Sequence, residues 1–244
     1  MTVPSASAEP DPNTNSDLNP AWVATSQRPV VLGMTGASGA PYAVGLLRTL
    51  CRAGLEVHLT ISPSGAQVLR EEMGIAVALN RFDPIVFGDL DATRLHYHHH
   101  ADFGAGIASG SFLTAGMVIA PCSMSTLASI AHGITTNLVT RAADVHLKER
   151  RKLIVVPRET PLSLVHLENM LKATQAGAVV LPAMPGWYHR PESFDDLIGF
   201  IVSRICDQLG LENRLMRRWG KPTHSADLTT SAAPSIRTSP PDLE

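Results

Sequence analysis

PVVLGMTGASGAPYAVGLL, residues 29–47, reads as a strand, a glycine-rich turn and a helix start in immediate succession. Residues 29–34 form a continuous apolar run, as expected for a strand buried on both faces of a parallel sheet. The turn Thr35-Gly36-Ala37-Ser38-Gly39-Ala40 follows, and a helix is expected near 40–53. Gly36 and Gly39 let backbone come close to a ligand, and the free N–H groups at a helix start attract an anion. Ser38 adds a hydroxyl donor. The turn is neither the GxGxxG dinucleotide fingerprint nor a P-loop ending in GK[ST]. By itself it is equally well explained as a plain tight turn.

Similar apolar runs recur at 57–62, 84–87, 117–120, 153–157 and 178–182. Helical patterns separate most of them, near 64–73, 123–132, 138–149 and 161–175, the last stopping before Gly177. The final helix is the clearest. Ser193 and Asp196 resemble a capping box, Leu197, Ile198, Ile201, Val202, Ile205 and Leu209 follow at helical spacing, and Gly210 is the stop. Strands alternating with helices imply a doubly wound α/β fold, a three-layer sandwich with a parallel sheet. Ligands in such sheets sit beyond the carboxyl ends of the strands.

Composition narrows the setting. Twenty Lys and Arg against 22 Asp and Glu, a net charge of −2, argue against nucleic acid and anionic membranes as partners. Only 17% of residues are charged, which fits either a surface covered by other subunits or a compact monomer with an uncharged polar skin. No run of 18 apolar residues and no signal-peptide pattern occurs. Cys51, Cys122 and Cys206 are widely spaced, which argues against a disulfide framework or a Cys-rich zinc site. The expected setting is the cytoplasm. Residues 1–27 and 221–244 are rich in Pro, Ser and Thr and poor in apolar residues, so both are expected to be disordered tails around one domain spanning 28–220.

The strand ends carry the polar residues. Strand two ends at Ser62, and its helix carries Glu71 and Glu72. Strand four runs into Cys122-Ser123-Met124-Ser125-Thr126, whose hydroxyls either cap a helix or line a phosphate or flavin edge. Arg141, Asp144 and Lys148 share a helix face, the pattern of a salt-bridged solvent surface. Strand five ends in Pro157-Arg158-Glu159, an Arg-Glu pair at a strand's carboxyl end, where this architecture puts chemistry. The loop after strand six presents Trp187 and Tyr188, which suit stacking on a planar cofactor or packing on a neighbouring subunit. His96, His98, His99 and His100 are expected in a solvated loop rather than at a metal.

Taken together, MTGASGAPYAVGLL (34–47), APCSMSTLASIAHG (120–133), the stretch 137–170 around VVPRETPLSLVHLENM, LPAMPGWYHRPES (181–193) and RRWG (217–220) resemble the UbiX family of flavin prenyltransferases. The resemblance covers nearly all of 28–220, with the region from about 75 to 105 departing from the pattern. It implies a flavodoxin-like or Rossmann-like homo-oligomer, a dodecamer built from trimers. It implies reduced FMN as prenyl acceptor, dimethylallyl phosphate as donor, no metal, and prenylated FMN delivered to a UbiD-type decarboxylase.

By the same resemblance, Ser38 lies near flavin N5 and assists proton movement. Gly36, Ala37, Ser62 and Ser123 contribute to FMN binding. Arg141, Lys148, Arg158, Tyr188 and Arg204 hold the flavin phosphate or the prenyl phosphate. Glu72 matches the acidic residue after strand two, Glu159 an acid-base residue near the leaving phosphate, and Trp219 an aromatic that covers the prenyl chain. Arg204, at the edge of an apolar stripe, fits an anion site or a salt bridge between subunits. Two other readings are an FMN-dependent cysteine decarboxylase and a flavin carrier without catalysis. The group of Lys148, Arg158, Glu159 and Tyr188 suits phosphate departure better than thiol oxidation.

Overall fold

A computed structural model describes residues 28–88, 90–216 and 218. The stretches 1–27 and 221–244, expected to be tails, lie outside the described residues. Six parallel strands form one sheet in the order β3-β2-β1-β4-β5-β6. They are β1 (Val30–Met34), β2 (Val57–Ile61), β3 (Leu95–His99), β4 (Gly116–Cys122), β5 (Leu153–Pro157) and β6 (Val179–Val180). The helices are α1 (Ala40–Arg52), α2 (Pro63–Met73), α3 (Met124–Ala131), α4 (Leu138–Lys148), α5 (Leu164–Gln175) and α6 (Phe194–Leu209). Among the described residues no helix is long and apolar enough to cross a membrane.

The continuous apolar runs are explained by what covers them. In β1, Val30, Leu32 and Met34 pack with Leu46, Leu47 and Leu50 of α1 and with Ile201 and Ile205 of α6. Val31 faces the other way, toward Leu127 of α3 and Val139 of α4. Both faces of the central strands are thus dry, and alternation has no purpose there. Helices α1, α2 and α6 form one outer layer, and α3, α4 and α5 the other. Gly45 permits α1 and α6 to meet closely, since a Cβ there would lie 2.9 Å from Ile198 Cγ2.

Two sequence expectations need correction. Residues 84–87, read as a strand, form a short 3-10 turn, because the Asp83 carboxylate accepts the Ile85 N–H at 3.0 Å and caps it. The third strand is instead Leu95–His99, within the segment expected as a solvated histidine loop. It is an edge strand, paired only with β2, so beyond the buried Leu95 its side chains remain partly exposed and its polar composition fits.

Burial also sets the acid response of one helix. His146 of α4 is buried, with Nδ1–H donating to the Ala142 carbonyl at 2.7 Å and Nε2 accepting from the Thr114 hydroxyl at 2.8 Å. Burial pushes its pKa down to about 4 from 6.5, outweighing the Ala142 hydrogen bond that raises it. The folded state therefore holds a neutral imidazole that the unfolded chain protonates more readily. Its contribution to stability is full above pH 6.5 and is lost as pH falls toward 4, a loss of about 3 kcal/mol. Urea unfolding midpoints across this range check it, and His146→Asn, weaker at neutral pH, lacks this share of the acid loss.

All three cysteines, Cys51, Cys122 and Cys206, are free and buried. Desolvation drives their thiol pKa values up, to about 11, 12 and 12 respectively.

Candidate active site

The strand order reverses between β1 and β4, and the crevice outside their carboxyl ends is where such folds bind ligands. Thr35 joins the two ends. Its buried hydroxyl donates to the Pro121 carbonyl at 2.8 Å and accepts the Ser123 N–H at 2.8 Å. One side chain thereby satisfies both a carbonyl and an amide at the switch point. Sequence reasoning passed over Thr35, although a polar residue placed directly after a buried apolar strand was the available signal.

The turn after β1 is packed against the start of α2 by missing side chains. A Cβ on Gly36 would overlap the Ser64 side chain, and one on Gly65 would lie 2.6 Å from the Met34 carbonyl oxygen. Ser62 caps α2 by accepting the Gly65 N–H at 3.0 Å, and Ser123 caps α3 by accepting the Thr126 N–H at 3.2 Å. The Ser62 hydroxyl, which caps by accepting, still has a hydrogen to donate to a ligand, whereas the Ser123 hydroxyl donates its hydrogen to Thr126 Oγ1 at 2.9 Å and keeps only its oxygen for one.

Helix α1 begins after Gly39, whose φ of 124° belongs to glycine, and no side chain of the turn caps it. The carboxylate of Glu72, from α2, supplies the cap instead. It accepts the Gly39 N–H at 2.9 Å and the Ala40 N–H at 2.8 Å, where the helix dipole favours negative charge. Partial desolvation raises its pKa. The Ser38 hydroxyl, the two amides and the Arg158 guanidinium together outweigh that and hold it below the ordinary carboxylate range. Arg158 also donates from Nε to the Ser38 carbonyl at 3.2 Å. Ser38, Glu72 and Arg158, from three separate elements, therefore meet at one point.

Beside Arg158, a cleft of about 60 Å³ opens between the carboxyl ends of β5 and β6, lined by Glu159, Leu162, Met170, Ala183 and Met184. Glu159 accepts the Thr160 N–H at 3.1 Å, which orients its carboxylate locally. Tyr188 follows β6, half-exposed, with its ring edge toward Phe200. Trp187 is 71% exposed.

The other candidates are distributed differently. Arg141, on the first turn of α4, donates to the Ala108 carbonyl at 3.1 Å and pairs with Asp144 at 3.1 Å. Lys148 is the last residue of the same helix, which runs back toward the amino edge of the sheet, and it pairs with Glu149. Arg204 pairs with Asp207 at 3.0 Å on α6, whose carboxyl end also reaches the amino edge, where Leu209 lies against Gly116. A single chain thus gathers Gly36, Ala37, Ser38, Ser62, Glu72, Ser123, Arg158 and Glu159, and leaves Lys148 and Arg204 outside that group. Trp219 lies outside the described residues.

The start of α1, expected to attract a ligand's anion, is thus already occupied by the Glu72 carboxylate, and the remaining cradle of turn backbone and hydroxyls beside Arg158 and Glu159 is suited to a phosphorylated planar ligand. Comparison with known proteins agrees. A family model described as Flavoprotein matches residues 21–206. The chain is 51% identical over 194 residues to the flavin prenyltransferase UbiX of Alkalihalophilus pseudofirmus, covering 79% of this chain and 96% of that one. Its fold is similar to AnUbiX crystallised with FMN and dimethylallyl pyrophosphate, with a TM-score of 0.72 and 39% identity over 81% of this chain and 100% of that one. It is also similar to a dodecameric FMN-dependent UbiX-like decarboxylase of Escherichia coli O157:H7, with a TM-score of 0.70 and 43% identity over 79% and 99% of the two chains.

Proposed function

Since the chain belongs to the UbiX flavin prenyltransferases of the flavoprotein family, we propose that it joins a dimethylallyl group from dimethylallyl phosphate to N5 and C6 of reduced FMN. The product, prenylated FMN, serves a UbiD-type decarboxylase. The observation that carries this reading is the meeting of Ser38, Glu72 and Arg158 at the start of α1, next to the cleft that holds Glu159.

The residues present suit FMN. Gly36 and Ala37 offer turn backbone at the carboxyl end of β1, where Gly36 lacks a Cβ because Ser64 packs there, Ser62 and Arg141 provide donors, and the Ser123 hydroxyl oxygen provides an acceptor for the ring edge. When bound, the reduced flavin supplies the nucleophile that the protein lacks. The protein's task is the leaving group and the protons. An allylic phosphate departs only if its growing charge is stabilised, and Arg158, Tyr188, Lys148 and Arg204 do this without metal. Glu159 moves a proton near that phosphate, and Ser38 moves one near N5. Glu72 keeps Ser38 in place by binding the two amides that follow it. Trp219, outside the described residues, is the aromatic that the family resemblance assigns to the prenyl chain, where a π face would attract allylic positive charge.

Copies of the chain assemble, as a dodecamer, through surfaces that include the outer face of α5. There Leu164, Val165, Leu167 and Leu171 are all exposed in the single chain. Assembly also brings Lys148 and Arg204 of one chain to the cleft of another. The cytoplasm, where buried free thiols stay reduced, is the setting that fits.

The test is direct. Protein incubated anaerobically with reduced FMN and dimethylallyl phosphate yields extracted flavin heavier by one prenyl unit in a mass spectrum. Unmodified flavin with both mono- and diphosphate donors would overturn the reading and favour a carrier role.

A further inference from the structure

The histidines of β3 remain unused by the chemistry above. β2 and β3 pair with His58 opposite His96 and Thr60 opposite His98, so His58, His96 and His98 project from one face of the sheet. Glu56 stands two residues before His58. Its Oε1 lies 3.1 Å from His58 Nε2 and 3.1 Å from His96 Nε2, and the three ligand atoms all fall within 4.8 Å of one another. Four-coordinate zinc with bonds of about 2.0–2.1 Å places neighbouring ligand atoms roughly 3.3 Å apart, close to these separations.

We propose that Glu56, His58 and His96 form a binding site for a borderline divalent transition metal of the Zn²⁺ type, linking the edge strand β3 to β2. Two imidazoles and one carboxylate are a donor set that Zn²⁺, Co²⁺ and Ni²⁺ favour over Mg²⁺ or Ca²⁺. His98 completes the arrangement. Its Nε2 lies 2.8 Å from His58 Nδ1, on the far side of the ring from Glu56. When His58 Nε2 binds the ion, its proton resides on Nδ1 and is donated to His98 Nε2, the outer hydrogen bond that orients a ligating histidine. At His58 and His98 this is a change of tautomer from the metal-free arrangement, in which His58 Nε2 faces Glu56.

Orientation is further limited by packing. The His58 ring centroid lies 4.9 Å from that of His96 and 5.1 Å from that of His98, with which it is nearly coplanar as their hydrogen bond requires, and the Phe112 ring, tilted by 63°, has its centroid at 4.8 Å. His58 is buried while Glu56 and His96 are about half-exposed in the single chain, so an ion can enter and keep water at its open positions. Glu56 and His96 sit at the amino ends of their strands, and the Ser38 turn follows a carboxyl end. Within one chain the ion therefore lies at the opposite edge of the sheet from the Ser38 turn.

Titration of the tag-free, metal-stripped protein with Zn²⁺ by calorimetry tests this, with Co²⁺ absorption reporting the ligand geometry. One ion per chain is expected, with affinity in the micromolar range or tighter and a raised thermal midpoint. Glu56→Gln and His96→Gln each weaken binding by at least about 100-fold, and His98→Gln by about 10- to 100-fold with the stoichiometry unchanged. His99→Gln serves as control and leaves binding intact, with circular dichroism confirming the fold of each variant. Absence of binding, binding indifferent to both Glu56→Gln and His96→Gln, or equal loss in His99→Gln overturns the site.

Discussion

Glu159→Gln slows flavin prenylation by about 10²- to 10⁴-fold and leaves FMN bound, the loss expected when a positioned acid-base group cannot exchange its proton. Gln preserves the side-chain shape, and its amide oxygen can still accept the Thr160 N–H that Glu159 accepts at 3.1 Å. The β5–β6 cleft that Glu159 lines therefore keeps its form. Single-turnover spectra of reduced FMN with donor separate binding from bond formation. Intact binding with slow formation assigns Glu159 to the chemistry. Loss of FMN binding instead makes the residue a structural part of the cleft.

Lys148→Met lowers the rate by about 10²- to 10³-fold, the usual loss when one group aimed at developing charge is removed. The geometry adds a sharper test. Lys148 ends α4, which points away from the carboxyl edge, so it cannot serve the cleft of its own chain. In a mixed assembly of Lys148→Met and Glu159→Gln chains, some sites combine an intact Lys148 from one chain with an intact Glu159 from another. Co-assembled mixtures therefore recover activity that neither variant has alone. No recovery, in assemblies proved to be mixed by native mass spectrometry, would mean that the lysine acts within its own chain or not at all.

The central sheet was legible because its strands are buried on both faces and read as unbroken apolar runs. β3 was not, since an edge strand with a half-exposed face holds Leu95-His96-Tyr97-His98-His99 without a burial pattern to betray it. PIVF at 84–87 failed for the opposite reason. Four apolar residues cannot distinguish a strand from a turn, and the local cap by Asp83 decided it. The residues of the β1 turn and of Arg158-Glu159 were found through their place at strand ends. That Glu72 would cap α1 from another helix was not legible, because it depends on a contact across 33 positions in the chain. Likewise, side-chain spacing put Arg141 and Lys148 on one helix face, but only the direction of α4 reveals that they serve opposite ends of the sheet.

The burial of Cys51, Cys122 and Cys206 has a consequence for how the enzyme meets air. Thiols held near pKa 11 to 12 contain almost no thiolate at neutral pH, and oxidants and alkylating agents act on the thiolate. The protein's thiols are therefore poor targets for peroxide. Activity lost on exposure to oxygen is therefore expected to return on re-reduction of the flavin and not on addition of a thiol reagent, which an assay after each treatment checks.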